Sequence, residues 1–344
     1  MLLTHPEVLT TAGRSDVVRA RVVGRGQEPS VVLKHFRDDR VCGLDDWAGC
    51  VFLTLRGLRV APQFLAGSEE ARLFVMEDLG RGQSLESVLK GDEAHTASGA
   101  LMSIVRLTSV MHTRTLGAQS DYDEVRHSLE PRHERVRIEN ARYLLDNAGR
   151  LRRWIEAVGA KEDPGLQADL EQLARELADP GPFLAFTHGD MAPSNTLFTP
   201  EGPRLLDFEY GGMRSALYDA LMWLLTVPLP EALISRADIY YRSNLSQACY
   251  AAQVDSDYLR ARATVVAART VNVFQWISPK ALERDRDWAP GFTERAALLR
   301  HLERCLLLLE PFNPVPALSR TLESLEARLR ERWTVQPFVW PAFR

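Results

Sequence analysis

The chain has 344 residues, 45% of them hydrophobic and 26% charged. That leaves room for one large domain or two ordinary ones around a sizeable core, and it excludes a disordered, collagen-like or disulfide-scaffold chain. The 42 basic and 46 acidic residues give a net charge of −4, too balanced for a broad phosphate-binding field, so no nucleic-acid partner is expected. Only four of the basic residues are lysines, Lys34, Lys90, Lys161 and Lys280. Against such an arginine background, a lysine at a chemically special place is informative.

The four cysteines, Cys42, Cys50, Cys249 and Cys305, have no C-x-x-C spacing. They suit neither a zinc site nor a disulfide framework and read as small buried hydrophobes of a reducing compartment. The N-terminus lacks a basic region followed by a long apolar core, and apolar runs such as Ala220 to Leu225 are too short to cross a bilayer. A cytoplasmic protein without a membrane partner is expected.

The first strand expected is Val17 to Val23, followed by a turn-like Gly24 to Pro29 and a second strand, Ser30 to Phe36. Leu44 to Leu58 has roughly helical apolar spacing, and Arg72 to Met76 is a third strand. From Gly82 on the chain turns helical, with Leu101, Ile104, Val105, Thr108 and Met111 on one face. The segment 121–180 has 14 acids and 10 bases and reads as a charged helical insert, either a solvated face or an acidic wall for a cationic substrate. Further helices follow Ser215, broken near Pro228/Pro230, Pro279, Pro290 and Pro311 to Pro316. A β-rich start before a helix-rich remainder implies an α+β chain with two lobes: residues 1–80, and residues 81–344 containing the insert.

The segment Phe183 to Ala220 carries the chemistry. A short apolar strand leads to Thr187-His188-Gly189-Asp190, and Leu197-Phe198 with Arg204 to Leu206 form a hairpin that Asp207 ends. His188, Asp190, Asn195 and Asp207 therefore converge at the ends of one hairpin and its leading loop. Few, hard oxygen ligands are what a magnesium–phosphate site requires. Asp190 and Asn195 are five apart and Asp207-Phe208 follows, as in the H-R-D-x-x-x-x-N and D-F-G motifs of kinases. Gly189 and Glu209 replace the Arg of the first motif and the Gly of the second.

With those departures the segment resembles the aminoglycoside phosphotransferase and choline kinase-like families, the phosphotransferase enzyme family. The resemblance implies a two-lobed protein-kinase-like fold, with a small N-terminal β-sheet lobe carrying one long helix and a large, mainly helical C-terminal lobe. It also implies ATP- and Mg²⁺-dependent transfer of the γ-phosphoryl group to a hydroxyl of a small molecule. Asp190 would be the catalytic base, His188 would orient the catalytic loop, Asn195 and Asp207 would hold Mg²⁺, and Asp219 would brace the loop.

On the nucleotide side the resemblance assigns Lys34, in the apolar strand Val31-Val32-Leu33-Lys34, to the phosphates. A compact ammonium is not replaceable there by an arginine fork. Its acidic partner on the following helix is Asp46, with Asp45 as the alternative. The loop Thr11 to Asp16 occupies the phosphate-covering position, its Gly13 to Ser15 amides able to face phosphate. Val75 to Gly80 matches the hinge, where main-chain groups of Glu77 and Leu79 would meet the adenine edge.

The acceptor stays open among an aminoglycoside-like antibiotic, an amino alcohol and a sugar. Trp223, Trp276, Trp288, Tyr240 and Tyr241 are either acceptor-stacking or core residues. A catalytically silent nucleotide-binding module and a protein kinase are the rival readings. The chain is expected as a monomer or homodimer.

Overall fold

The computed structural model describes residues 3–11, 14–23, 29–37 and 40–344, without the side chains of 40–42. It is a mixed α+β structure. By compactness the chain divides into two units, residues 1–133 with 186–213, and residues 134–185 with 214–344. This partition differs from the compositional boundary at residue 80.

The first unit is built on an antiparallel sheet of β1 (Leu3–Thr10), β2 (Ser15–Val22), β3 (Ser30–Phe36), β4 (Phe64–Ser68) and β5 (Leu73–Glu77), in the order β1-β2-β3-β5-β4. The helix α1 (Arg40–Leu55) lies on one face of it. Period two sends Val32, Lys34 and Phe36 of β3 to one side. There Phe36 and Phe74 join Leu44, Trp47 and Cys50 of α1 in a buried cluster. The Trp47 ring stacks on Phe64 and Phe74 at 6.3 and 6.0 Å. Gly67 is required beside it, because a Cβ there would sit 2.0 Å from the indole.

β1 and β4, the two edges, were not expected from the sequence. Both read poorly as strands: Pro6 interrupts β1, where the pairing shifts register between Thr4 and Glu7, and β4 is Phe-Leu-Ala-Gly-Ser. Edge positions tolerate such residues because one side of the backbone is not paired.

Next come α2 (Leu85–Leu89), α3 (Ala94–Thr115) and α4 (Gln119–Leu129). A capping box between Ser84 and Ser87 starts α2. The face expected for α3 is buried, with Leu101, Ile104, Val105 and Met111 fully inaccessible. After α5 (Val136–Val158) and α6 (Leu166–Ala178) comes β6 (Leu184–Thr187), which leads to the hairpin β7 (Thr196–Thr199) and β8 (Gly202–Leu205), then β9 (Gly212–Ser215). The hairpin register is Thr196 opposite Leu205 and Thr199 opposite Gly202.

The second unit is helical. α5 and α6 belong to it, with α7 (Leu217–Leu221), α8 (Glu231–Leu245), α9 (Asp255–Val273), the short strands β10 (Asp287–Ala289) and β11 (Phe292–Thr293), α10 (Glu294–Leu309) and α11 (Pro316–Arg332). α9 is buried nearly all round from Ala263 to Val273, which marks a helix at the centre of a bundle. α5, α6, α7 and α10 pack on it. Trp223 and Tyr241 are fully buried, ring to ring at 5.3 Å, so these two are core. Trp276 and Trp288 are partly exposed, and the Arg269 guanidinium lies 4.3 Å from the Trp276 ring. Among the described residues no helix is long and apolar enough to cross a membrane.

Candidate active site

All the residues singled out for catalysis or metal binding lie in the first unit. Lys34 faces α1 from β3 and is only 7% exposed. Its Nζ meets Asp46 Oδ2 at 2.6 Å and Asp207 Oδ1 at 2.5 Å. Burial alone would lower the pKa of this ammonium, but the two carboxylates outweigh it and the net shift is upward. Lys34 is therefore a fixed cation at any physiological pH.

Asp46, not Asp45, pairs with the lysine. Its second oxygen, Oδ1, accepts the Phe208 N–H at 2.8 Å, so one carboxylate ties the helix both to the lysine and to the segment carrying Asp207. Asp45 points elsewhere and accepts Arg126 Nε at 2.6 Å. Gly49, one turn on, lets the helix lie close: a Cβ there would be 3.1 Å from Phe186 and 3.3 Å from Phe208. Cys50 is buried beside Asp46, and burial first, then that carboxylate, push its thiol far above the ordinary value. It is no nucleophile. Cys50, Cys249 and Cys305 are all buried free thiols.

Asp207 has φ +67°, a left-handed conformation that Asp tolerates better than most residues yet rarely adopts. Three bonds hold it there: Leu206 N–H to Asn195 O (2.9 Å), Phe208 N–H to Asp46, and the lysine on its own Oδ1. Its side chain remains 42% exposed, so one carboxylate is aimed outward from a rigid base. Behind it, Phe208 is buried against Phe186 (5.9 Å, stacked) and His188 (4.5 Å).

His188 is fully buried and bridges the two loops. Its Nε2 lies 2.7 Å from Leu206 O, and its Nδ1 accepts the Asp190 N–H at 3.3 Å. The Nε2–H tautomer satisfies both bonds. Asn195 donates through Nδ2 to Asp190 O (3.1 Å) and Asp190 Oδ2 (3.4 Å). The loop is anchored from below, where Thr196 Oγ1 accepts the Leu85 N–H at 2.7 Å and donates to Pro193 O at 2.8 Å. Asp190 itself is exposed, as a group that must reach a second molecule has to be.

The remaining candidates are less tied in. Ser15 opens β2 half-buried, in register with Phe36, and Gly13 lies outside the described residues. Arg14, between them, reaches the Tyr210 hydroxyl at 3.2 Å. The Glu77 carboxylate is turned to Arg59 (2.8 Å) and the Gln63 N–H (3.2 Å), leaving main-chain atoms as its contribution to any ligand. Among the described residues no acceptor meets the Leu79 N–H. Asp219 is buried in α7 of the second unit.

Two features were not read from the sequence. Arg19 forks onto Asp78 (2.7 and 3.1 Å) and Gly80 O (3.2 Å), clamping the expected hinge. Glu209 has its carboxyl raised above the ordinary value by burial first, then by the charge of Asp207.

The donor set suits a magnesium–nucleotide complex. Asp207 and Asn195 offer one carboxylate and one amide oxygen, and Lys34 offers a point charge. Among the described residues no group of three or more His, Cys, Asp or Glu is arranged to hold a metal. One carboxylate and one amide oxygen suit an ion that takes one or two protein oxygens and completes its shell with water and phosphate.

The sequence profile of the phosphotransferase enzyme family matches residues 25–253, well over half of the chain. No curated protein matches it in sequence. Among similar solved structures, choline kinase LicA from Streptococcus pneumoniae is 15% identical, with 90% of this chain and 94% of that one covered and a TM-score of 0.46. The ADP-bound aminoglycoside phosphotransferase APH(2'')-Ib is 14% identical over 94% of this chain and 95% of that one, with a TM-score of 0.49. The macrolide 2'-phosphotransferase MphH from Brachybacterium faecium is 18% identical over 89% and 92%, with a TM-score of 0.45. On the family match the chain belongs to the phosphotransferase enzyme family and is an enzyme of small-molecule phosphotransfer.

Proposed function

We propose that the protein transfers the γ-phosphoryl group of ATP to a hydroxyl of a small molecule, with Asp190 as the base that aligns and deprotonates that hydroxyl. The observation that supports this most is the arrangement of Lys34 between Asp46 and Asp207, beside a loop in which Asn195 fixes the exposed Asp190.

Phosphoryl transfer asks little covalent chemistry of the protein and much positioning and charge neutralisation. Lys34 supplies a cation to the nucleotide phosphates, held in place by Asp46. Asn195 and Asp207 would hold Mg²⁺, whose chemistry is to neutralise charge developing on the phosphate oxygens. His188 keeps the Asp190 and Asp207 loops in register through its two ring nitrogens. Arg14 and the amides around it would cover the phosphates, and the backbone of Glu77 and Leu79 would receive the adenine.

The acceptor is an aminoglycoside-like antibiotic, an amino alcohol or a sugar. An ATP-consumption screen across those three classes tests the reading. Acceptor-dependent ADP release with at least one class is the expected result. Binding of ATP with no acceptor-dependent turnover, or robust transfer to a peptide array, would replace it by the silent-module or protein-kinase reading.

A further inference from the structure

The helix α4 begins the charged insert, yet within the first unit it packs along α1. Tyr122 is buried edge-on to Phe52 at 5.5 Å. Leu129 packs against the cluster of Phe36, Leu44, Trp47, Cys50 and Phe74. Between them Arg126, 1% exposed, donates from Nε to Asp45 Oδ1 at 2.6 Å.

Successive residues on a helix point about 100° apart. The neighbouring carboxylates of Asp45 and Asp46 therefore hold α1 on two sides, one to Arg126 and the other to Lys34 and the Phe208 N–H. Asp46 and the packed face of Leu44, Trp47 and Cys50 hold α1 on the sheet side, and the Asp45–Arg126 pair adds a tie on a second side, so any roll of the helix strains both. Arg126 is also a costly way merely to fill space. Its Nη1 is buried with no hydrogen-bond partner among the described residues, and an apolar side chain of similar length would pack without leaving that donor unsatisfied.

We propose that Arg126 is a positioning residue for the phosphate-binding lysine: through Asp45 it sets the roll of α1, and thereby the contact between Asp46 and Lys34. The functional consequence rests on the phosphate-site reading above, whereas the mechanical link does not. It gives the first helix of the insert a task that neither a solvated face nor an acidic wall supplies.

Arg126→Met is the informative variant, because it keeps the side-chain length and leaves Asp45, whose side chain is 19% exposed, able to hydrate. Two readouts go beyond stability. The first is acylation of Lys34 by an amine-reactive ester, followed by mass spectrometry against the exposed Lys161 as internal reference, with no nucleotide present. The second is the Kd of Mg·ADP.

We expect Lys34 labelling and the Mg·ADP Kd each to rise about tenfold, the lower end of the effect of removing an outer-shell support. Arg126→Lys should recover most of both. A folded Arg126→Met protein with wild-type labelling and Kd would overturn the proposal. If that variant does not fold, Asp45→Asn is read the same way, with the same two outcomes. If the wild-type protein binds no Mg·ADP, the phosphate-site reading fails, and Lys34 labelling still decides whether Arg126 governs the lysine.

Discussion

The two units treat their buried polar groups in opposite ways. In the first, Lys34 and Asp46 form a buried ion pair that ends on Asp207, a residue in a left-handed conformation whose carboxylate is open to solvent. In the second, four deep polar contacts close on the protein itself. Asn147 donates to Asn272 (2.9 Å), Trp154 to Ile277 O (3.0 Å) and Tyr241 to Ala216 O (3.1 Å), and Asp169 accepts two α11 amides. The first arrangement holds charge and backbone strain ready for another molecule; the four contacts of the second need none. Substitutions at the Lys34–Asp207 cluster should therefore change function before stability, and those at the closed contacts of the second unit should change stability alone.

The largest effect should come from Asp190→Asn. Loss of general-base alignment is worth roughly 100- to 10,000-fold in turnover, and steady-state rates with a working acceptor should fall by that much while Mg·ADP affinity holds. Comparable activity in the variant would remove Asp190 from its role.

Lys34→Met should abolish tight nucleotide binding and also leave Asp46, 3% exposed, without its counter-ion. Breaking a buried pair from one side costs about 3–5 kcal/mol, with the lower end expected because Asp207 can hydrate. Adding Asp46→Leu should return part of the urea stability but none of the binding. Recovery of both would mean that the pair is structural only.

In the second unit the sharpest test is pH. Burial, reinforced by Arg269, pushes the His301 imidazole down to about 3. The native state then stays neutral while the unfolded chain takes up a proton below about pH 6.5. Stability from this residue is thus fully present above about 6.5 and is lost as pH falls toward 3, by about 2 kcal/mol at pH 5. Urea unfolding at pH 7 and pH 5 should show that slope reduced in His301→Leu. An unchanged slope would place the acid sensitivity elsewhere.

The smallest effect belongs to Asp169→Ala. Asp169 Oδ2 accepts the Ala317 and Leu318 N–H groups at 2.7 and 2.8 Å, capping α11 from α6. Its loss should cost about 1 kcal/mol in urea unfolding and leave kcat unchanged. A fall in kcat would blur the contrast between the units.

The convergence of the proposed catalytic residues was legible because it is local. Asp190, Asn195 and Asp207 lie at the ends of one hairpin and in its leading loop, and strand alternation put Lys34 on the inward face. Asp46 followed only from resemblance and counting, and the structure settles its pairing by giving Asp45 to Arg126. That second pair spans 81 residues, and nothing in either local sequence announces it. The edge strands β1 and β4 were lost for a different reason, since an edge position accepts Pro6, Gly67 and Ser68 where a central strand would not. The aromatics divided by burial, a tertiary property: Trp223 and Tyr241 went to the core, while Trp276 stayed at the surface beneath Arg269.

The account turns on a metal-assisted phosphate site in the first unit. Titration of ADP with and without Mg²⁺, on the wild-type protein and on Asp207→Asn, tests it directly. We predict that Mg²⁺ tightens ADP binding to the wild-type protein about tenfold or more and that the variant loses this increment. Binding that is absent, or indifferent both to Mg²⁺ and to the Asp207 carboxylate, would contradict it.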